Sequence, residues 1–390
     1  SVDCTGNTAT ITAENGVLQL TAYNDCVIKV FTRINGDDSV ERRSIAVSAV
    51  PEGSFTVEEN DDCIKLSTRS TTVTVSKSDC HVEFSDISGK TVLKEKDGLD
   101  NSALPRTVSF DAMGEDAFYG GGYNGQRINL NGQTLVMNNT QTGGWESTWR
   151  APHNICVPFI VSTGGYGLLF NDSYRNARIT PSSEGTQYRS GSHAPISYFY
   201  VGGADGSMAS VMESYTFLTG RQELPPYWAL GYMTSRYSYA SQTEAEDVVK
   251  SVKDAGLPLD AIVFDLYWQG QNNSGMGNFK WYAPNYSNPV GMIDRFSKLG
   301  VKTVCISEPY FTSASANYAE AKRKGYFADD DVSGMEWLGS SPVGLIDATN
   351  PEAMDWMWSL YKPRTSEGIA GWWLDLGEPE RHDADSRHAG

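Results

Sequence analysis

Through the first 220 residues, apolar positions recur at every second residue in short runs. TATITA (8–13), VLQLTAY (17–23), CVIKVFTR (26–33), CIKLST (63–68), TTVTVS (71–76), HVEFS (81–85) and KTVLKE (90–95) are rich in Thr, Val and Ile. Turn pieces such as ENG, YND, NDD and SGK separate them. This alternation, at close spacing and without a helical pattern between the runs, predicts strands of an antiparallel β-sandwich. Cys156–Ser173, CVPFIVSTGGYGLLFNDS, continues the pattern as a hairpin around Gly164-Gly165.

After Leu224-Pro225-Pro226 the period changes. WALGYMTS reads as a strand, and SQTEAEDVVKSVKDAGL as a helix with Thr243 and Glu246 at capping-box spacing, an apolar stripe of Val248, Val249 and Val252, and a stop at Gly256. LDAIVFDLYW is a near-continuous apolar run, as expected of a strand buried on both faces. NPVGMIDRFSKLG then sets Met292, Ile293, Phe296 and Leu299 on one helical face. VKTVCISEPYF is a third strand, SANYAEAKRKG and NPEAMDWMWSLYK are helices, and IAGWWLDLGE is a fourth strand. The alternation implies a parallel sheet with right-handed crossovers. Four strands are half of an eight-stranded barrel, so the expected architecture is a β-sandwich over 1–224 followed by the first half of a (β/α)8 barrel over 225–390. The barrel is expected to continue past Gly390.

Composition narrows the function. With 31 basic and 48 acidic residues the net charge is −17. Such a chain repels phosphate backbones and anionic lipid, which speaks against nucleic-acid and membrane-surface binding. No apolar run reaches the roughly 18–20 residues of a membrane helix. The six cysteines form no C-x-x-C pair, which leaves isolated thiols or a few disulfides. A disulfide or two among the five in the first 156 residues would favour an extracytoplasmic, oxidising compartment. Four N-x-S/T sequons, at Asn138, Asn171, Asn272 and Asn285, are too short a pattern to decide anything.

The chemistry is positional. Three successive strands each end in an acid: Asp265, Glu308, and Asp375 with Glu378. In barrels, catalytic groups sit at the C-terminal ends of the strands, and unpaired buried carboxylates are too costly to serve as packing. A ring of helix-capping or salt-bridged acids is the plainer alternative. Arg236, at the end of the first strand, reads either as a salt-bridge partner or as a donor to a substrate hydroxyl. Tyr267, Trp268, Trp281, Tyr310, Trp372 and Trp373 accompany the acids. One aromatic near a strand end usually belongs to the core, but a cluster beside acids describes a sugar pocket. GGGYNG (Gly120–Gly125) lies in the β-rich half and supports no nucleotide loop. His382 and His388 could contribute to a metal site, but loop histidines more often serve as hydrogen-bonding residues.

The strings WALGYMTSRYSY (228–239), LPLDAIVFDLYW (257–268), VKTVCISEPYF (301–311) and GWWLDLGEPE (371–380) together resemble glycoside hydrolase family 31, the retaining α-glucosidases, α-xylosidases and α-transglucosylases. FYGGGYNGQ (118–126) and YGLLFNDS (166–173) resemble that family's galactose-mutarotase-like N-terminal sandwich. The resemblance covers nearly the whole chain and implies an oligosaccharide substrate with no metal or organic cofactor. It assigns Asp375 as nucleophile, Asp265 as the acid that binds glycone hydroxyls, and Glu308 as a pocket residue at a position often Asp in the family. Glu378 becomes an acid that positions the nucleophile loop, while Trp268 and Trp373 match pocket-wall positions; Tyr267 joins the substrate-binding candidates from the aromatic cluster beside the acids. GMGNFKW (275–281) carries Asn278 where many members have an acid. With CISEPYF and WWLDLGEPE it looks most like the oligosaccharide 4-α-glucosyltransferase branch, with α-xylosidases a poorer match. The family's general acid/base, an Asp of the later barrel half, has no counterpart among these residues, which leaves a non-catalytic glycan-binding homologue as the contrasting reading.

Overall fold

A computed structural model of the chain describes residues 1–36, 41, 44–99, 106–123, 127–139, 155–171, 176–193, 195–377, 379–383 and 385–389. It divides into two compact units, Ser1–Gln222 and Glu223–Gly390.

The first unit is a sandwich of antiparallel sheets. One layer has eight strands, in the spatial order Val2–Thr5, Thr8–Ala13, Gly16–Ala22, Val27–Ile34, Ile196–Gly202, Tyr166–Phe170, Ile155–Ser162 and Phe118–Tyr123. Facing it, a five-stranded sheet runs from Thr56–Glu59 to Thr91–Lys94 in chain order. A four-stranded sheet (Thr107–Asp111, Gly185–Arg189, Ala177–Ser182, Leu135–Met137) joins it through a bridge between Glu95 and Phe110. The period of two does the sorting. Tyr198 and Tyr200 point into the core shared with Leu66, Val73, Phe84 and Phe110. Phe199 and Val201, one residue out of phase, pack on the other side with Val211 and Leu218 of the helix Met208–Thr219. The predicted hairpin is present as Ile155–Ser162 and Tyr166–Phe170.

Two details of this unit depart from a plain alternating reading. The glycine run Gly120–Gly122 forms a β-bulge against Ile155–Ser162, with all three residues at positive φ. A Cβ at Gly122 would lie 2.2 Å from the Ile155 carbonyl oxygen, so the run is required by close backbone approach. The rest of that motif, Asn124–Gln126, lies outside the described residues, as do Thr140 and Ser173 of two sequons. None of the six cysteines is joined in a disulfide, which selects the isolated-thiol alternative. Cys26, Cys80 and Cys305 are buried and act as small apolar side chains.

The sandwich core also holds an acid. Glu95 is buried between the layers, where Tyr198 Oη donates to its Oε1 (2.7 Å) and the Val82 amide donates to its Oε2 (2.9 Å). Burial pushes its pKa up to about 8 in spite of both bonds.

The second unit is built from parallel βα repeats. Its four-stranded sheet has the order Met233–Thr234, Ala261–Phe264, Lys302–Ser307, Ile369–Leu374, every pair parallel. Helices Gln242–Asp254 and Pro289–Lys298 connect the first three strands, and Tyr318–Lys324 and Pro351–Ser366 lie between the third and fourth. The first strand is far shorter than expected. Tyr227–Leu230 is a 3-10 turn after the two prolines, and Gly231 is pressed against Asp260, whose Oδ2 accepts from the Tyr232 amide (3.0 Å). The capping box sits two residues earlier than predicted: Ser241 Oγ accepts from the Glu244 amide (3.2 Å), and Glu244 Oε2 accepts from the Ala240 amide (2.7 Å). Leu299 is the C-cap and exposed, while Met292, Ile293 and Phe296 are buried as expected. A small antiparallel sheet, Tyr310–Thr312, Val343–Ile346 and Phe327–Asp329, was not foreseen. Its strands are three or four residues long, too short to show a period.

Candidate active site

Register brings the acids together. Val263 pairs with Val304, and Val304 with Gly371, across the second, third and fourth strands. Val263 and Val304 share an apolar cluster with Ala261, so they mark one face of the sheet. Counting in twos along each strand from that rung places Asp265, Glu308 and Asp375 on the same face, each one residue past its strand. The last rung of the ladder carries the nucleophile candidate itself, because the Asp375 amide donates to the Ser307 carbonyl (3.0 Å).

Local geometry then fixes each carboxylate. Asp265 caps a 3-10 turn, its Oδ1 accepting from the Leu266 amide (2.7 Å). Burial, and secondarily the Asp375 charge, push its pKa up to about 6. Asp375 Oδ1 accepts from the Leu376 amide (2.9 Å). Leu376 is held at φ +56 while its side chain is buried in the barrel-side core, a left-handed non-glycine residue directly after the acid. Glu308 is only 2% exposed, and its Oε2 has no hydrogen-bond partner. Burial, followed by the charges of Asp375, Glu380 and Asp265, pushes its pKa up to about 9. Mutual electrostatic influence thus ties the three predicted acids into one site and adds Glu380, which sequence reasoning passed over although it lies in the same GEPE string.

The aromatic and basic candidates separate. Trp268, expected on the pocket wall, is fully buried, and its Nε1 donates to the Ile306 carbonyl (3.0 Å). A ring with both faces packed serves the core. Trp281 packs edge-on against it, with centroids 5.3 Å apart. Tyr310 is also buried, its hydroxyl donating to the Arg381 carbonyl (2.7 Å). Trp373 shares the parity of Asp375 and stays 37% exposed, while Trp372 packs edge-on against Tyr361 of the Pro351–Ser366 helix. Tyr267 is half-buried and meets Tyr237 edge-on (6.1 Å). Arg236 takes the salt-bridge role, Nη1 donating to Glu244 Oε1 (2.7 Å) with the side chain 59% exposed. Glu378 lies outside the described residues.

Asn278 explains its own departure from the acidic motif. Its Nδ2 donates to the Gln269 carbonyl (2.9 Å) while its Oδ1 accepts from the Ala316 amide (2.8 Å), a pairing that needs an amide. Gln269, itself buried, accepts from the Phe279 amide (2.8 Å), so the loop after the second strand is fastened from both sides. His382 and His388 face each other through their Nε2 atoms (2.7 Å), and His388 Nδ1 meets Asp347 Oδ1 (3.0 Å). Among the described residues no group of three or more His, Cys, Asp or Glu side chains is arranged to hold a metal ion.

Two family models match the chain: the N-terminal galactose mutarotase-like domain of glycosyl hydrolase 31 over residues 17–177, and the TIM-barrel domain of glycosyl hydrolases family 31 over residues 222–389. Alpha-glucosidase 2 of Bacillus thermoamyloliquefaciens is 26% identical over 94% of this chain and 47% of its own length. An alpha-xylosidase of Saccharolobus solfataricus is 32% identical over 58% of this chain and 29% of its own. A dextranase of Flavobacterium johnsoniae, solved with isomaltotriose, superposes with a TM-score of 0.87 at 23% identity, over 99% of this chain and 48% of its own. The chain therefore spans about half the length of the first relative and of that structure. With a mutarotase-like sandwich and a partial TIM barrel in family order, it belongs to glycosyl hydrolase family 31.

Proposed function

We propose that the full-length protein is a retaining α-glycoside hydrolase or transglycosylase acting on α-1,4-glucan oligosaccharides. The observation that carries this reading is the placement of Asp265, Glu308 and Asp375 on one face at the ends of three adjacent parallel strands. Asp375 is the nucleophile: its carboxylate oxygen bonds to the anomeric carbon as the glycosidic C–O bond breaks. The leaving oxygen takes a proton from an acid not among the residues assigned here. A β-glucosyl-enzyme results, and water or a sugar hydroxyl then captures it on the same face. In such enzymes the two working carboxyls stand roughly 5–5.5 Å apart. Asp265 and Glu308 line the glycone side, and Trp373 offers an exposed ring for the apolar face of a sugar.

Full-length protein carrying Asp375→Ala should lose turnover of 4-nitrophenyl α-glucoside by about 10³-fold or more. Normal turnover by that variant would sink the reading. Maltotriose separates the two outcomes of the second step, since glucose and maltose alone indicate water as acceptor and longer oligomers indicate transfer. An α-xylosidase on the same scaffold is the second reading, supported by the relative named for that activity. Comparison of xyloside with glucoside substrates decides between them.

A further inference from the structure

Glu308 has a property that its place in a sugar pocket does not require. Burial removes it from water, and the charges acting on it, from Asp375 and Glu380 beyond the fourth strand and from Asp265 beyond the second, are all negative. A carboxylate in that position would be the third or fourth negative charge on one rim, with an oxygen that nothing in the structure solvates. Protonation relieves both penalties and turns the unpartnered Oε2 into a donor. A neutral acid with an unused O–H in a buried site is itself incomplete, and a sugar hydroxyl or ring oxygen is the acceptor that completes it.

We propose that Glu308 works as an uncharged carboxylic acid, leaving Asp375 ionised beside it and presenting its own Oε2 proton to an oxygen of the bound glycone. This rests on the nucleophile reading above. The acids on that face then divide their roles by environment: Asp375, anchored by the Leu376 amide, carries the charge, and Glu308, desolvated and without a donor to Oε2, carries the proton. The bound sugar meets one donor and one anion where the sequence shows only acids.

The test uses full-length protein and α-glucosyl fluoride, whose leaving group needs no proton, so that the general acid drops out of the pH profile. Wild-type kcat/KM should hold a plateau and fall about tenfold by pH 10, as the acid ionises with a pKa near 9. Glu308→Gln keeps a donor that cannot ionise, so its profile should stay flat over that range whatever its plateau height. Circular dichroism at each pH separates this from unfolding. A wild-type plateau without the alkaline fall, or the same fall in Glu308→Gln, would overturn the proposal. Infrared spectroscopy gives an arm that needs no turnover. The wild-type minus Glu308→Gln difference at neutral pH should contain one protonated-carboxyl band, and its absence overturns the proposal equally. If Asp375→Ala retained turnover, the nucleophile reading would fall and this one with it. An inactive Asp375→Ala with no protonated-carboxyl band overturns Glu308's role alone.

Discussion

Glu95 in the sandwich and Glu308 at the barrel rim are both buried glutamates whose pKa lies far above the ordinary carboxylate range, at about 8 and about 9. Burial is the leading cause in both. Their partners set them apart. Glu95 has a donor on each oxygen, Tyr198 from one layer and Val82 from the other, and pins the sandwich together. Glu308 has an oxygen left over, and the charges around it are acids in a face of acids. A raised pKa alone therefore does not mark a reactive group. An unfilled hydrogen-bonding position beside other functional groups does.

The largest effect that would test this contrast is on folding. Glu95→Ala leaves the Tyr198 hydroxyl and the Val82 amide buried without partners and opens a cavity, so chemical denaturation should show a loss of about 3 kcal/mol. A loss below about 1 kcal/mol would mean that Glu95 is not the clamp between the layers. Next comes pH. Glu95 binds its proton more tightly in the folded chain than in the unfolded one. Its contribution is fully present below about pH 4.5 and is lost as pH rises towards 8, with a fall on the order of a few kcal/mol. Thermal melts of Glu95→Gln across that window should lose this slope. Glu308→Gln should flatten the portion that extends up to about pH 9.

Smaller effects follow from polar groups whose partners are already in place. Asn278→Asp replaces a donor that faces the Gln269 carbonyl and should cost about 1–2 kcal/mol in denaturant titrations. An unchanged midpoint would show that the loop does not depend on that amide. At the lower end, Arg236→Ala breaks an exposed ion pair with Glu244 and should shift stability by about 0.5 kcal/mol or less. A larger drop in glucoside turnover than in stability would return Arg236 to the substrate side.

The strand-end acids were legible because a parallel βα repeat converts sequence order into position: once the strands are placed, so are their C-terminal ends. The sandwich was legible through its period of two. Trp268 was not, because a sequence places an aromatic near a strand end without saying which way its ring turns. Glu95 closes KTVLKE, which reads as a strand, and a charged residue at a strand end between Lys94 and Lys96 carries no sign of burial. The offset capping box has a similar origin, since Ser241, Thr243, Glu244 and Glu246 offer two registers of the same signal. Only packing selects between them. The short antiparallel sheet around Val343–Ile346 pairs segments whose partners are distant in sequence, where local pattern carries no information.

The amide of Asp375 closes the last rung to Ser307, so the proposed nucleophile is fastened by the terminal bond of the parallel ladder. Ladder ends open more readily than ladder centres, and the opening of one rung is a local event of low free energy. Amide hydrogen exchange at Asp375 then gauges how firmly the proposed nucleophile is held, and is expected to be faster than that of Val304 or Cys305 within the same sheet. On warming, the Asp375 carboxylate is expected to lose its bearing while the strands of this sheet are still paired. Inactivation is accordingly expected to precede melting, and a substitution that tightens this one rung would raise the working temperature without raising the melting point.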